Sequence, residues 1–234
     1  MRTDIVRQER KYYLTLVQAS RCESYFRWYL QPDRHNGPRG YLIRSLYFDT
    51  PDNQDYHDKL NGYAQRRKIR LRTYSADADS AFLELKQKDA HGQRKRSLQL
   101  PRAEAVRLAG GDYAPLLEHG EAFASEVYAL LQTRCYQPRA VIQYYRTAYT
   151  SPVNEIRVTF DREISATESN HDLFAQPWLG APVLAPFHAI LEIKYNHFLP
   201  AYLNRPLASC DGRQISISKY CLGRAISMHY YPYL

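Results

Sequence analysis

Lys68, Arg70 and Arg72 stand two residues apart in the run KIRLRTY, with Ile69 and Leu71 between them. Side chains in a strand alternate faces, so the three cations line one side and the two aliphatics the other. The same period-two pattern returns along the chain. Glu9 goes with Lys11; Glu84, Lys86 and Lys88 share a face in FLELKQK; Tyr144 and Arg146 do so in YYRTAY. Glu155, Arg157, Thr159 and Asp161 form a further row, Glu192 and Lys194 another in LEIKYN, and Lys219 in SISKY reads as a seventh. Neighbouring like charges are costly unless something negative sits opposite. Arg offers a planar fork of donors and Lys a point charge, and both suit phosphoryl oxygens. The interspersed carboxylates repel an anion, but a hard divalent cation, Mg²⁺ or Mn²⁺, lies naturally between Glu oxygens and phosphate oxygens. Metal-assisted handling of linked phosphoryl groups is the chemistry these residue types would do.

Positioning these rows takes strands. Tyr/Val/Ile-rich runs predict them at residues 9–17, 41–48, 65–74, 81–88, 95–100, 139–150, 154–164 and 189–195. Ser20 with Glu23 resembles a capping box and predicts a helix to about residue 30. Pro101 and the Gly110-Gly111 pair bracket a second helix, and Phe123, Val127, Leu130 and Leu131 mark a third over 121–134. Residues 54–60 predict one more turn or two of helix, and 165–186 a long irregular loop. Many strands with few helices between them indicate an antiparallel α+β protein.

The apolar residues between the charges, such as Leu83/Leu85 and Ile156/Val158, make a face that helices could cover. Any one charged row reads simply as the solvated face of a sheet. Seven together fit better if the face is folded inward, as a barrel lined by Arg, Lys and a few Glu. Such a lining is too costly empty and dry, and is satisfied by a chain of phosphates.

Composition is consistent with this. Lys plus Arg number 32 against 24 Asp plus Glu, a net charge of +8 in 234 residues. That surplus favours a polyanionic partner without choosing it. The length suits a single domain over 1–234. No apolar run approaches membrane-spanning length and no signal core precedes Leu14, so the expected location is the cytoplasm. Cys22, Cys135, Cys210 and Cys221 show no zinc spacing and read as free buried thiols. There is no GxxxxGK[ST] loop, GxGxxG turn, GxSxG elbow or HExxH helix, so phosphates must be gripped by side chains. Nucleic acid is not the expected partner: most of the 21 tyrosines fall inside strands, where packing is the simpler role than base stacking.

RQERKY, SLYFDT, KIRLRTY, FLELKQK, YYRTAY, EIRVTFD, ILEIKYN and SISKY, in this order, resemble the VTC domain, the polyphosphate-polymerase branch of the triphosphate tunnel metalloenzymes, or CYTH-like proteins. The likeness runs from about Arg7 to Gly223. It implies an antiparallel β-barrel tunnel with helices packed outside, ATP as phosphoryl donor, and Mn²⁺ or Mg²⁺. By motif it implies that Lys11, Arg70, Arg72, Lys86, Arg146 and Arg157 hold phosphates, that Lys194 and Lys219 complete the basic wall, and that Glu192, with Glu9, meets the metal. Arg67 and Arg96 align ambiguously. Hydrolytic members open with Glu-x-Glu-x-Lys, whereas this chain has Arg7-Gln8-Glu9-Arg10-Lys11. Losing one carboxylate tilts towards transfer or binding and away from dedicated hydrolysis. Three readings stay open: ATP-dependent polyphosphate polymerase, tunnel triphosphatase, and a non-enzymatic module for polyphosphate or inositol phosphates.

Overall fold

The structure, a computed structural model, describes residues 7–89, 92–208 and 214–227. Among the described residues ten strands and six α-helices form an α+β fold in which every described strand register is antiparallel. The chain divides into two compact units.

The first unit takes the residues up to Leu42, with Tyr144–Ile164 and Leu184–Ile217. It holds β1 (Arg7–Thr15), α1 (Leu16–Tyr29), β2 (Gln31–Pro32), β10 (His188–Asn196), α5 (Ala201–Ala208), most of β8 (Ile156–Thr167) and the C-terminal half of β7 (Gln137–Ser151). The hydrogen-bonded order is β1-β10-β8-β7, with β2 against β7. Alternation sorts the faces. Tyr12 and Leu14, Ile156, Val158 and Phe160, and Leu191, Ile193 and Tyr195 are buried with Ala19, Cys22 and Phe26 of α1 and Leu203 and Leu207 of α5. Glu9, Lys11, Arg157, Thr159, Asp161, Glu192 and Lys194 occupy the other face.

The second unit takes Ile43–Gln143, Ser165–Val183 and the residues from Ser218. Its order is β7-β3-β4-β5-β6, with β3 (Tyr41–Asp49), β4 (Arg66–Thr73), β5 (Ser80–Asp89) and β6 (Gly92–Pro101); the short β9 (Ala181–Pro182) pairs with the end of β8. Leu46, Ile69, Leu71, Leu83, Leu85, Leu98 and Leu100 form the apolar face, with Leu108 of α3 (Arg102–Ala109) and Val127 and Leu131 of α4 (Ala122–Thr133) packed on it. Leu71 and Leu83 lie opposite each other at 0% exposure, and truncating either to Ala costs about 2–5 kcal/mol. Asp49 caps α2 (Gln54–Leu60), accepting from the N–H groups of Asp55 at 2.9 Å and Tyr56 at 3.0 Å.

Several expectations are corrected. α1 starts at Leu16, because Thr15 and Gln18 form the capping box that Ser20 and Glu23 were expected to make, and this ends β1 at Thr15. Glu155 leaves its row: it sits in a turn with φ of 46°, and β8 begins after it. Lys219 is not on a strand but opens α6 (Lys219–Arg224), since Ser218 accepts from the Cys221 N–H as an N-cap. β8 continues to Thr167, inside the expected loop. Of the cysteines expected buried, Cys22 is buried, Cys221 half-buried and Cys135 exposed; Cys210 lies outside the described residues. Among the described residues no helix is long and apolar enough to cross a membrane.

Candidate functional site

Two charged strand faces, one in each unit, carry the residues that the sequence singles out. In the first unit the register sets Glu9 beside Lys194 and Lys194 beside Arg157, then Lys11 beside Glu192 and Glu192 beside Thr159. Lys11 Nζ lies 2.7 Å from Glu9 and 3.4 Å from Glu192, and Lys194 Nζ 2.6 Å from Glu192. Burial alone would lower the Lys11 pKa, but the carboxylates of Glu192 and Glu9 raise it above its ordinary value. Arg157 donates to Tyr41 at 3.2 Å and pairs with Asp33 at 2.8 Å. Arg146 grips Asp161 with both arms of its fork, Nε at 2.6 Å and Nη2 at 2.8 Å, and Asp161 is wholly buried. Arg146 thereby stays cationic: burial opposes this, and Asp161 and Tyr144 outweigh it.

In the second unit Tyr47 lies beside Arg70, Arg70 beside Glu84 and Glu84 beside Ser97. The next rung sets Lys68 against Lys86 and Lys86 against Lys95, three ammonium groups across three neighbouring strands. Like charges directly opposed destabilise a sheet. Glu84 is the resident counter-charge, 2.6 Å from Arg70, 2.5 Å from Lys95 and 3.9 Å from Arg72. Burial would raise its pKa; Arg70, Arg72 and Lys95 instead hold it at about 2. The same cations act on the buried Tyr47 hydroxyl, which accepts from Arg70 at 3.0 Å: burial raises its pKa, but Arg70, Arg72 and Lys68 bring it down to about 8. Arg72 donates to Ser45 at 3.2 Å, and Lys68 to Ser218 at 2.6 Å.

These faces are only partly solvated: Arg72, Glu84, Thr159, Asp161 and Glu192 are each at most 8% exposed, whereas the Lys95 side chain is about half exposed, so a fully solvated outer sheet face does not describe them. Among the expected residues, Lys11, Glu9, Arg146, Arg157, Glu192 and Lys194 come together in the first unit, and Arg70, Arg72 and Lys86 in the second. Lys219 is displaced onto α6, one residue after the Ser218 that Lys68 contacts. Arg96 falls outside, paired at 2.5 Å with Glu126 of α4, and Arg67 alternates away from Lys68. Lys95 was missed as a site residue; the Asp89–Gly92 pairing fixes the hairpin register that brings it to Lys86.

Among the described residues no cluster of three or more His, Cys, Asp or Glu forms a protein-only metal cage. Glu9 and Glu192 are brought to one ammonium group, and one or two carboxylates are what Mg²⁺ or Mn²⁺ takes when phosphate oxygens complete its sphere. Beside Glu192 the Thr159 Oγ1 is buried with no hydrogen-bond partner among the described residues. The residues present fit such a cation.

Comparison with known proteins places the chain. Similar solved structures include a Hippeastrum protein described as an adenylyl cyclase with a dominant triphosphatase activity, 15% identical, with a TM-score of 0.50 over 96% of this chain and 97% of that one. A Bacillus halodurans protein described as an adenylate cyclase is 15% identical over 87% of both chains, with a TM-score of 0.47. A Pyrococcus horikoshii protein is 12% identical over 94% of this chain and 99% of its own, with a TM-score of 0.45. No curated protein sequence matches. The VTC domain matches residues 6–228, and with nearly the whole length accounted for, the chain belongs to the VTC domain family.

Proposed function

We propose that this chain is an ATP-dependent polyphosphate polymerase of the cytoplasm, a single domain over 1–234 that transfers the γ-phosphate of ATP to the end of a growing polyphosphate. Arg70 and Arg72, with Lys86, hold the triphosphate; Lys11, Arg146, Arg157 and Lys194 supply the remaining positive charge, and Lys219 reaches the same substrate from α6. A divalent cation, Mn²⁺ or Mg²⁺, held by Glu192 and Glu9, would neutralise charge between phosphate oxygens. The protein's own part is positioning. Phosphoryl transfer needs in-line alignment and charge neutralisation more than a strong base. Arg forks fix phosphate orientation, and burial excludes water that would compete with the polyphosphate end as acceptor.

The observation that carries this reading is the Lys68–Lys86–Lys95 rung beside buried Arg72, with Glu84 2.5 Å from Lys95 and 3.9 Å from Arg72. Cations opposed at this density favour a phosphate-rich anion as ligand. ATP and Mn²⁺ incubated with the protein, followed by product sizing, test it: chains longer than triphosphate are expected, and are lost in Glu192→Ala and Arg70→Ala.

The second reading is a triphosphatase, the activity attributed to the Hippeastrum protein of similar fold. Release of phosphate without chain growth would select it. Tight phosphate binding with no turnover would select a binding module for polyphosphate or inositol phosphates.

A further inference from the structure

A cavity of about 730 Å³ lies wholly inside the first unit, away from the charged row. Its walls follow from two periodicities. Ser20, Glu23 and Arg27 form one stripe of α1, and Tyr145, Thr147 and Tyr149 one face of β7, the opposite face to Tyr144 and Arg146. The loop 32–39 closes the side. The layer between a helix and a sheet is ordinarily dry and apolar, yet here it is open and carries charged side chains among the apolar ones. Glu23 accepts from Arg162 at 2.6 Å and from the Tyr149 hydroxyl at 2.8 Å, and Arg27 donates to that hydroxyl at 2.9 Å. Arg39 pairs with Glu163 at 2.8 Å and stacks over Tyr145 at 4.8 Å.

Three guanidinium groups thus face two carboxylates. Arg162 and Arg39 are neutralised at short range, whereas Arg27 comes only within 3.7 Å of Glu23. The surplus is one positive charge on a planar fork that matches a phosphate. The volume holds about two dozen waters at ~30 Å³ each, several times what a bare phosphate displaces, and falls in the range of sites for small organic ligands.

The loop that closes the cavity also touches the charged row. Asn36 hydrogen-bonds both backbone groups of Ala148 through its side-chain amide, fixing the loop to β7. Three residues earlier Asp33 pairs with Arg157, and at its other end Tyr41 accepts from the same guanidinium. Gly40 has φ of 82°, and a Cβ there would stand 2.3 Å from the Arg146 carbonyl oxygen, so the loop is pressed against the backbone that carries Arg146.

We infer that this cavity is a second ligand site, for an organic phosphate of nucleotide size, and that its occupancy is relayed by the loop 33–40 to Arg157. The binding half stands on the cavity alone; the relay rests on the proposed phosphate-holding role of Arg157. Asn36–Arg39 line the cavity together with Arg27, so a ligand there meets both, and the Asp33 carboxylate that restrains Arg157 sits on the same short segment.

Titration calorimetry with AMP, without metal, tests it on the parent, Arg70→Ala, Arg27→Glu and Thr147→Trp. AMP is expected to bind Arg70→Ala as it binds the parent, at least tenfold more weakly to Arg27→Glu, and not at all to Thr147→Trp, which fills the cavity; unchanged circular dichroism shows that the variants are folded. Inorganic phosphate is expected to bind at least tenfold more weakly than AMP. Saturating AMP should change the parent's affinity for tripolyphosphate by threefold or more and leave that of Arg27→Glu unmoved. No AMP binding to the parent, or binding lost in Arg70→Ala and kept in Thr147→Trp, overturns the second site. AMP binding without any effect on tripolyphosphate overturns the relay. AMP binding in a parent that never binds tripolyphosphate upholds the site and removes the polymerase reading instead.

Discussion

Replacing Glu84 with Gln keeps its shape and deletes one negative charge. At 3% exposure the carboxylate holds Arg70 at 2.6 Å and Lys95 at 2.5 Å. Its pKa stands at about 2 against an ordinary 4.5. A gap of that size, at about 1.4 kcal/mol per unit, is on the order of 3 kcal/mol of stability at neutral pH. Because the folded pKa is the lower one, the contribution is complete above about pH 4.5 and disappears as pH falls towards 2. For a chain of this length 3 kcal/mol corresponds to a Tm drop of roughly 6–12 °C. Scanning calorimetry at pH 7 in phosphate-free buffer should show that drop for Glu84→Gln, and the gap to the parent should narrow between pH 4.5 and pH 3. Tripolyphosphate, supplying the missing negative charge, should raise the variant's Tm by more than the parent's. A Tm within 2 °C of the parent at pH 7, or a gap that does not depend on pH, refutes the claim that Glu84 is the counter-charge of this row.

Burial and the neighbouring Asp49 push the Asp55 carboxyl up to about 8, so the folded protein keeps that proton where the unfolded chain loses it. Stability should therefore fall as pH rises from about 4 to about 8, and Asp55→Asn, freed from this slope, should gain on the parent by on the order of 5 kcal/mol between pH 4 and pH 8.5 in urea titrations. Asp161→Asn leaves the buried Arg146 without its carboxylate partner and should cost about 3–5 kcal/mol in the same assay. Thr15→Ala removes the cap of α1 and should cost about 1 kcal/mol.

The strands could be read from the sequence because their alternation is strict: Ile69 and Leu71 must go inward to α3 and α4, and Lys68, Arg70 and Arg72 follow to the other face. What alternation does not encode is depth, so Arg72 and Glu84 were legible as a row but not as buried. Short helices were the weakest point. α5 and α6 are too brief to form alone and depend on tertiary contacts, in α6 the Tyr220 hydroxyl donating to Asp49 at 2.6 Å. That is why Lys219 was expected on a strand. The Asp49, Asp55 and Tyr136 cluster joins residues 49, 55 and 136 of the chain and carries no local motif. The cavity beside α1 was equally hidden, since Ser20, Glu23 and Arg27 look like an ordinary solvated helix face until Tyr149 and Arg162 are set against them.

The central claim is that the cationic strand faces hold linked phosphoryl groups. Titrating tripolyphosphate calorimetrically into the parent, Arg72→Ala from the second unit and Lys194→Ala from the first tests it most directly. One binding event is expected in the parent, weakening steeply with salt, and at least tenfold weaker in each variant. Tripolyphosphate affinity left intact by both substitutions would contradict it.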